Sequence, residues 1–164
     1  MSPLEPTLIL ATLLCALIAG FVFAFATVVM PGIGKLGDRE YIRAFQVIDS
    51  VIQGGQPVFG LVWLGSAAAL LISAMVSIVQ LDGMACVLVV VAALVYAFGV
   101  QLPTFKINVP MNNKLQSLDV DAMDEAALAL ARSNFEDRWL KWNTIRTVIA
   151  CLVSVALMVV LLWL

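Results

Sequence analysis

This sequence of 164 residues contains no histidine. A histidine general base, a histidine proton relay and a metal site built on imidazole are therefore excluded. Charged residues are also scarce: they make up 12% of the chain, about half of their share in an average soluble domain. The formal net charge of −2 provides no basic surface for a nucleic acid. We therefore expect no nucleic-acid partner and no metal site.

Cysteine is rare as well, with three residues in the chain. Cys15, Cys86 and Cys151 lie in three different apolar segments, and their spacing is not typical of a metal site or a disulfide framework. We expect all three to be small, buried apolar residues.

Apolar residues, by contrast, make up 63% of the sequence. About 20 of them in a row suffice to cross a bilayer as a helix. Four stretches meet this length or come close to it: residues 7–30, 58–79, 84–105 and 143–164. The first is longer than the apolar part of a secretory signal and follows Glu5 without any Lys or Arg, so we expect a permanent helix. The predicted fold class is all-α, a transmembrane four-helix bundle that forms one domain over residues 1–164.

Lysine and arginine are unevenly distributed between the segments that join these spans. Those of the first and third connections are Lys35, Arg39, Arg43, Lys106, Lys114, Arg132, Arg138, Lys141 and Arg146. The short connection at residues 80–83 and the C-terminal end carry none. The positive-inside rule therefore predicts that both long connections are cytoplasmic and both termini lie outside. We expect an integral, multi-pass protein of the plasma or inner membrane.

Both long connections show helical patterns. At about 100° per residue, residues 38–53 place polar side chains on one face and apolar ones on the other, which predicts an amphipathic interfacial helix. Residues 121–142 predict a cytoplasmic helix that leads into the fourth span, with acidic residues at its start. Pro110 predicts a break or kink after the third span, because proline lacks an N–H.

Two polar stripes occur at the cytoplasmic ends of the third and fourth spans. The first consists of residues three, four and four positions apart, which share one helix face: Gln101, Thr104, Asn108 and Asn112. The second also shares one face: Trp139, Trp142, Asn143 and Arg146. Polar residues at membrane depth usually face the bundle interior and mark function. They also tie helices together, and tryptophan or arginine near a helix end also anchors it at the membrane boundary.

We expect the two stripes to face each other around a cytoplasm-facing pocket, with Gln46 and Asp49 of the interfacial helix as a lid. A solvated helix face is the alternative for these two residues. In such a pocket, amide and guanidinium groups are able to stabilise a developing oxyanion, and the tryptophans offer flat surfaces to a flat ligand.

Four segments follow one another along the chain: GFVFAFATVVMP, FQVID, NVPMNN and WLKWNTIR. Together they resemble the anthrone oxygenase-like family of small four-helix membrane proteins. The resemblance covers nearly the whole chain, and its specific parts are the Asn-x-Pro-x-Asn and Trp-x-x-Trp-Asn-x-x-Arg elements.

This resemblance implies an enzyme that oxidises an anthrone to an anthraquinone with molecular oxygen as co-substrate and no organic cofactor. The substrate enolate would react directly with oxygen, so the protein must assist deprotonation and hold the anion. The catalytic residues expected on this basis are Asn108, Asn112, Asn143, Arg146 and Asp49. The expected substrate-binding residues are Gln101, Thr104, Trp139, Trp142 and Gln46.

Two positions depart from the family pattern. Many relatives have histidine where this chain has Thr144, and asparagine where it has Asp49. Because the chain has no histidine, Asp49 is the candidate base.

The sequence leaves other functions open. A non-catalytic membrane module that binds a lipid, a quinone or a small metabolite is one alternative, and an accessory membrane subunit is another. Transport is disfavoured, because the outer halves of the spans look too apolar for a path to both sides. The expected partners are the lipid bilayer and an apolar aromatic small molecule or lipid, and homo-oligomer formation stays open.

Overall fold

The computed structural model describes residues 3–164, and all regular secondary structure in that part of the chain is helical. The helices are α1 (Leu4–Ile33), α2 (Asp38–Gln53), α3 (Pro57–Gln80), α4 (Gly83–Gln116) and α5 (Glu125–Trp163). All except α2 are long and apolar enough to cross a membrane. The predicted all-α fold with four transmembrane helices is confirmed, and the protein is an integral, multi-pass membrane protein.

Several helix bounds differ from those expected. The third span continues to Gln116 instead of ending near residue 105, and α5 begins at Glu125 instead of 121. The start of α5 is set by Asp124, whose carboxylate accepts a hydrogen bond of 2.8 Å from the N–H of Ala127. From there α5 continues without interruption into the fourth span. The range of α2 coincides with residues 38–53.

Three π-helical turns lie within α1 and α4, at Phe25–Val29, Ala97–Gln101 and Thr104–Asn108. After each turn, an N–H bonds the carbonyl five residues back, and the next residue is a proline: Pro31, Pro103 and Pro110. A proline ring crowds the carbonyl four residues before it and offers no N–H, so a wider turn accommodates it inside a helix. The break predicted at Pro110 was therefore wrong: α4 widens before this residue and continues through it.

The four spans pack as a ring, in which α1 and α4 each contact both α3 and α5. One apolar core runs along the spans, from Leu8 in α1 to Leu157 in α5. A second core lies beneath α2 and includes Phe45, Phe135 and Trp139. Apolar side chains cover the outside of the spans, as contact with lipid requires. The junction between the two cores is where the polar stripes meet.

The three cysteines differ in burial. Cys15 is buried, Cys86 is half-buried and Cys151 is exposed on α5. The prediction that all three are buried is correct for Cys15 alone. Cys151 directly follows the buried Ala150, so the helical turn carries it to the lipid side, where an uncharged thiol is tolerated.

A half-buried arginine of α5, Arg132, fixes the start of α2. The Arg132 guanidinium donates hydrogen bonds to the carbonyls of Gly34 (2.8 Å) and Leu36 (2.9 Å) and to the carboxylate of Asp38 (3.1 Å). It also lies over the ring of Tyr41, 4.3 Å from the centroid. Cationic hydrogen bonds of this kind are stronger than neutral ones. They hold α2 across the end of the bundle.

Candidate functional site

A cavity of about 210 Å³ lies where α2 covers the bundle, and all five helices contribute to its wall. Its polar lining residues are Asp49, Thr104, Asn108, Asn112, Asn143 and Arg146. Its aromatic lining residues are Phe21, Phe25, Phe45, Phe59, Trp63, Phe105 and Trp139. The cavity thus combines flat apolar walls with a small set of buried polar groups, the usual composition of a small-molecule site.

The structure brings most of the expected residues together. The five expected catalytic residues all line the cavity: Asp49, Asn108, Asn112, Asn143 and Arg146. Two of the expected substrate-binding residues also line it: Thr104 and Trp139. The other three lie outside the lining: Gln46, Gln101 and Trp142.

Trp142 is half-buried and points away from the cavity wall that Trp139 forms. At about 100° per residue, Trp139, Asn143 and Arg146 fall within about 60° of one another, whereas Trp142 lies about 100° from Asn143. Of the two tryptophans expected to bind the substrate, Trp139 lines the cavity and Trp142 does not.

Gln46 and Gln101 support the cavity from outside. The Gln46 amide donates to the carbonyls of Leu115 (2.9 Å) and Leu118 (3.0 Å), which ties α2 to the end of α4. The Gln101 side-chain oxygen accepts a hydrogen bond of 2.8 Å from Nε1 of Trp63. Trp63 itself was not predicted, because a single tryptophan in an apolar span looks the same in the sequence whether it faces lipid or a cavity.

Arg146 is the buried cation of the cavity, with 4% of its surface exposed. One terminal nitrogen donates to Oγ1 of Thr104 (2.7 Å), the other donates to Oδ1 of Asn143 (2.9 Å), and Nε has no partner. Asn143 is fixed in turn, because its Nδ2 donates to the carbonyl of Val22 on α1 (2.9 Å). The guanidinium is therefore held by neutral groups from α4 and α5.

Asn108 places a further amide in the same wall. It is 2% exposed, its Nδ2 lies 3.5 Å from the carbonyl oxygen of Trp139, and its Oδ1 has no partner. Buried polar atoms are nearly always hydrogen-bonded, so an unpaired one in a cavity wall calls for an explanation. The amide of Asn108 and Nε of Arg146 both keep hydrogen-bonding capacity for a molecule in the cavity.

Asp49 is the buried carboxylate, also 4% exposed. Its Oδ1 accepts from Nδ2 of Asn112 (2.8 Å) and its Oδ2 accepts from Nε2 of Gln53 (2.5 Å). Donors on both oxygens suit the ionised form, which only accepts hydrogen bonds. Burial raises the pKa of Asp49 above its ordinary value, and the hydrogen bonds from Gln53 and Asn112 offset part of this rise. A carboxylate with a raised pKa is a stronger base than an exposed one.

Trp139 determines which way the Asn112 amide faces. Its Nε1 donates a hydrogen bond of 2.7 Å to Oδ1 of Asn112, so Nδ2 of that amide is directed at Asp49. The Trp139 ring is held by Phe45 and Phe135, at centroid distances of 5.6 and 6.0 Å. An aromatic wall, an amide and a carboxylate thus form one hydrogen-bonded unit.

Position 144 is exposed on α5 and does not line the cavity. A histidine at this position would also lie outside the cavity, so the presence of threonine here does not change the polar lining of the cavity. Asp49 is the one carboxylate in the cavity lining of the described residues.

Comparison with known protein families identifies the family of this chain. The family described as Anthrone oxygenase matches residues 49–156, a range that begins at Asp49 and includes every polar residue of the cavity wall. No curated protein and no solved structure matches the chain. Because the family match covers well over half of the sequence, the chain belongs to the anthrone oxygenase family.

Proposed function

We propose that this protein is a cofactor-independent membrane oxygenase that acts on a flat, apolar phenolic substrate of the anthrone or quinone type. The observation that supports this best is the presence of Asp49 and Arg146 in the wall of one cavity, buried and unpaired with each other. An anthrone suits such a site, because it is flat, apolar and acidic at one carbon.

The first step is deprotonation of the substrate. The Asp49 carboxylate takes a proton from the acidic carbon, and the negative charge of the resulting enolate resides largely on the substrate oxygen. Arg146 donates to that oxygen through Nε, which has no partner within the protein, and the NH₂ groups of Asn108 and Asn143 lie in the same cavity wall. Donors preorganised in a cavity away from water stabilise a developing oxyanion more strongly than water does.

The second step is oxidation of the enolate by molecular oxygen. The carbanion carbon forms a bond to oxygen, and the peroxide intermediate loses water to give a second ketone. One oxygen atom enters the product and the other leaves as water, and the substrate supplies all the electrons. No external reductant and no organic cofactor is needed.

The aromatic wall binds the substrate's ring system. Trp139 and Phe25 lie with ring centroids 5.8 Å apart, Trp63 and Phe59 stack at 5.7 Å, and both pairs line the cavity. Flat aromatic surfaces bind flat ligands by offset stacking and edge contacts. They also exclude water, which strengthens the electrostatic interactions of Arg146 and Asp49 with the enolate.

The charge distribution supports a cytoplasmic location of the site. Both connections that pack near the cavity carry the Lys and Arg residues, so the positive-inside rule places them in the cytoplasm with both termini outside. We place the protein in the plasma or inner membrane, with the lipid bilayer and an apolar aromatic molecule as its partners.

The test is oxygen uptake by the purified protein in lipid nanodiscs supplied with anthrone. We expect one oxygen consumed per anthraquinone formed, and a strong reduction of the rate in Asn108→Ala and Arg146→Ala. Unchanged rates in both variants would overturn the site assignment. An aromatic ligand that co-purifies and binds without oxygen uptake would instead establish a non-catalytic binding module.

A further inference from the structure

A second apolar cavity, of about 720 Å³, lies along the outside of the bundle between α1, α2 and α3. We call it the lateral groove and define it by Leu17, Ile48, Val51, Val58 and Val62. Gln56 is its one polar lining residue within the described part of the chain. Leu17, Val51 and Val58 are exposed on the apolar outer surface of the bundle, so the groove faces lipid.

The lateral groove and the polar cavity share part of their walls. Phe21, Phe25, Ile52 and Phe59 line both of them. The shared wall is held by aromatic contacts: the ring of Phe21 lies 4.9 Å from that of Phe25 and 5.0 Å from that of Phe59. The contact between Phe21 and Phe59 is apolar and involves no hydrogen bond. A rotation of either ring would therefore open this wall without breaking a hydrogen bond.

The wall on the α2 side is closed in a different way. Gln53 donates to Asp49 (2.5 Å) and to Oδ1 of Asn113 (3.2 Å), and Gln46 bonds two carbonyls at the end of α4. Opening this wall would break several hydrogen bonds and expose the buried carboxylate. It would also bring an apolar ligand in through water.

We propose that the lateral groove is the passage through which the substrate reaches the cavity directly from the bilayer, with Phe21 and Phe59 as the gate. This inference rests on the proposed function and adds that the substrate enters from the membrane and not from the aqueous phase. The substrate is a planar, apolar molecule dissolved in the membrane, and its rings remain in apolar surroundings from lipid to cavity. Its oxygen meets polar groups only when it reaches Arg146 and Asn108.

The test narrows the groove without changing the cavity lining. Val62→Phe adds bulk at a residue that lines the groove alone. Val95→Phe is the matched control, because Val95 lines a separate, shallow apolar groove between α4 and α5 that shares no residue with the cavity. Ile48→Phe narrows the lateral groove from α2 and serves as a second variant if Val62→Phe does not fold.

The probe is anthraquinone added to nanodiscs without oxygen, and the signal is the rate at which it quenches the emission of Trp63 and Trp139. The measurement uses the Trp142→Phe/Trp163→Phe background for every variant, because those two tryptophans lie outside the cavity and Trp163 is exposed. We expect Val62→Phe to slow quenching by about tenfold or more, as obstruction of a gating step does, and to lower kcat/KM for anthrone in parallel. Val95→Phe should match the wild type in both measurements.

The outcomes separate the passage from the chemistry. Equal quenching rates in Val62→Phe, Ile48→Phe and Val95→Phe would overturn the passage while leaving the oxygenase in place. Slower quenching in the two groove variants, combined with no oxygen uptake by the wild type, would support the passage and overturn the oxygenase. A wild type that shows neither quenching nor oxygen uptake would overturn both.

Discussion

Asp49 and Arg146 line one cavity without forming a salt bridge, although each is 4% exposed. Removing an ion from water costs several kcal/mol, and a nearby opposite charge is the usual compensation. Here the amides of Asn112 and Gln53 donate to the carboxylate, while Thr104 and Asn143 accept from the two terminal nitrogens of the guanidinium. Both charges therefore remain available to a molecule between them, which is what deprotonation followed by anion binding requires.

The two tryptophans of α5 should differ in function although they are three residues apart. Trp139→Phe keeps the aromatic wall but removes the hydrogen bond to Asn112, which then no longer holds its amide toward Asp49. We expect kcat for anthrone oxidation to fall about tenfold, the equivalent of one hydrogen bond of about 1.4 kcal/mol. Trp142→Phe is the matched control and should leave kcat unchanged. Equal effects of the two changes would contradict the assigned hydrogen-bond chain.

The pH dependence of oxygen uptake should report Asp49. Its ionised form is the base, and burial raises its pKa, so the rate should fall as the pH is lowered through a value above that of an ordinary carboxylate. Below that value, the rate should fall about tenfold per pH unit. Rates in nanodiscs, corrected for uncatalysed oxidation, give the profile.

Asp49→Asn is the control for this profile, since it keeps the shape of the side chain and removes the titration. We expect a slower reaction whose rate no longer falls on the acidic side. If the acidic limb persists in Asp49→Asn, another group is the base.

Arg132 should contribute to stability, because it anchors the start of α2. Arg132→Ala removes hydrogen bonds to the carbonyls of Gly34 and Leu36 and to Asp38 and Glu136. We expect a loss of about 2–4 kcal/mol in the free energy of unfolding, since hydrogen bonds from charged groups contribute about 1.5–3 kcal/mol each and water replaces them in part. Arg138→Ala, on the exposed side of the same helix, should change it by less than about 0.5 kcal/mol. Denaturant titration in mixed micelles measures both.

Gly99 should be required for the close approach of α4 and α5. A Cβ at this position would lie 2.6 Å from Cδ1 and 3.0 Å from Cγ2 of Ile149. Gly99→Ala should therefore destabilise the bundle by about 1–3 kcal/mol, as overpacking does. Gly60→Ala meets nothing within 4 Å, so it should be neutral or stabilise α3 by up to about 1 kcal/mol. The same denaturant titration compares the two variants, and a stabilising Gly99→Ala would contradict the packing.

The fold and much of the polar site follow from patterns in the sequence. Apolar runs of membrane length give the four spans, and helical spacing brings Asn108, Asn112, Asn143 and Arg146 to one cavity. These residues are recognisable because an amide or a guanidinium at membrane depth contrasts with its apolar surroundings. Asp49 was expected on the polar face of the amphipathic helix and became the candidate base because the chain has no histidine.

The parts that the sequence did not reveal depend on local geometry or on apolar contacts. Phe21, Phe59 and Trp63 line the cavity, but aromatic residues in a membrane helix look alike whether they face lipid or a ligand. The continuation of α4 past Pro110 depends on a π-helical turn, which has no simple sequence period. Trp142 was grouped with Trp139, Asn143 and Arg146 as one helix face. Because Trp142 and Asn143 are consecutive residues, they lie about 100° apart around the helix, and only Asn143 reaches the cavity.

Anaerobic binding of anthrone shows whether Asp49 deprotonates the substrate and Arg146 binds the anion, because without oxygen the enolate forms but does not react further. Anthrone is titrated into wild-type nanodiscs under nitrogen at neutral pH, and the absorption spectrum of the bound ligand is recorded. We expect the spectrum of the anthrone anion in the wild type. We expect this spectrum to be lost in Arg146→Gln and in Asp49→Asn, and to be retained in Arg138→Gln. A bound ligand that stays neutral in the wild type, or an anion that persists in both cavity variants, would contradict this mechanism.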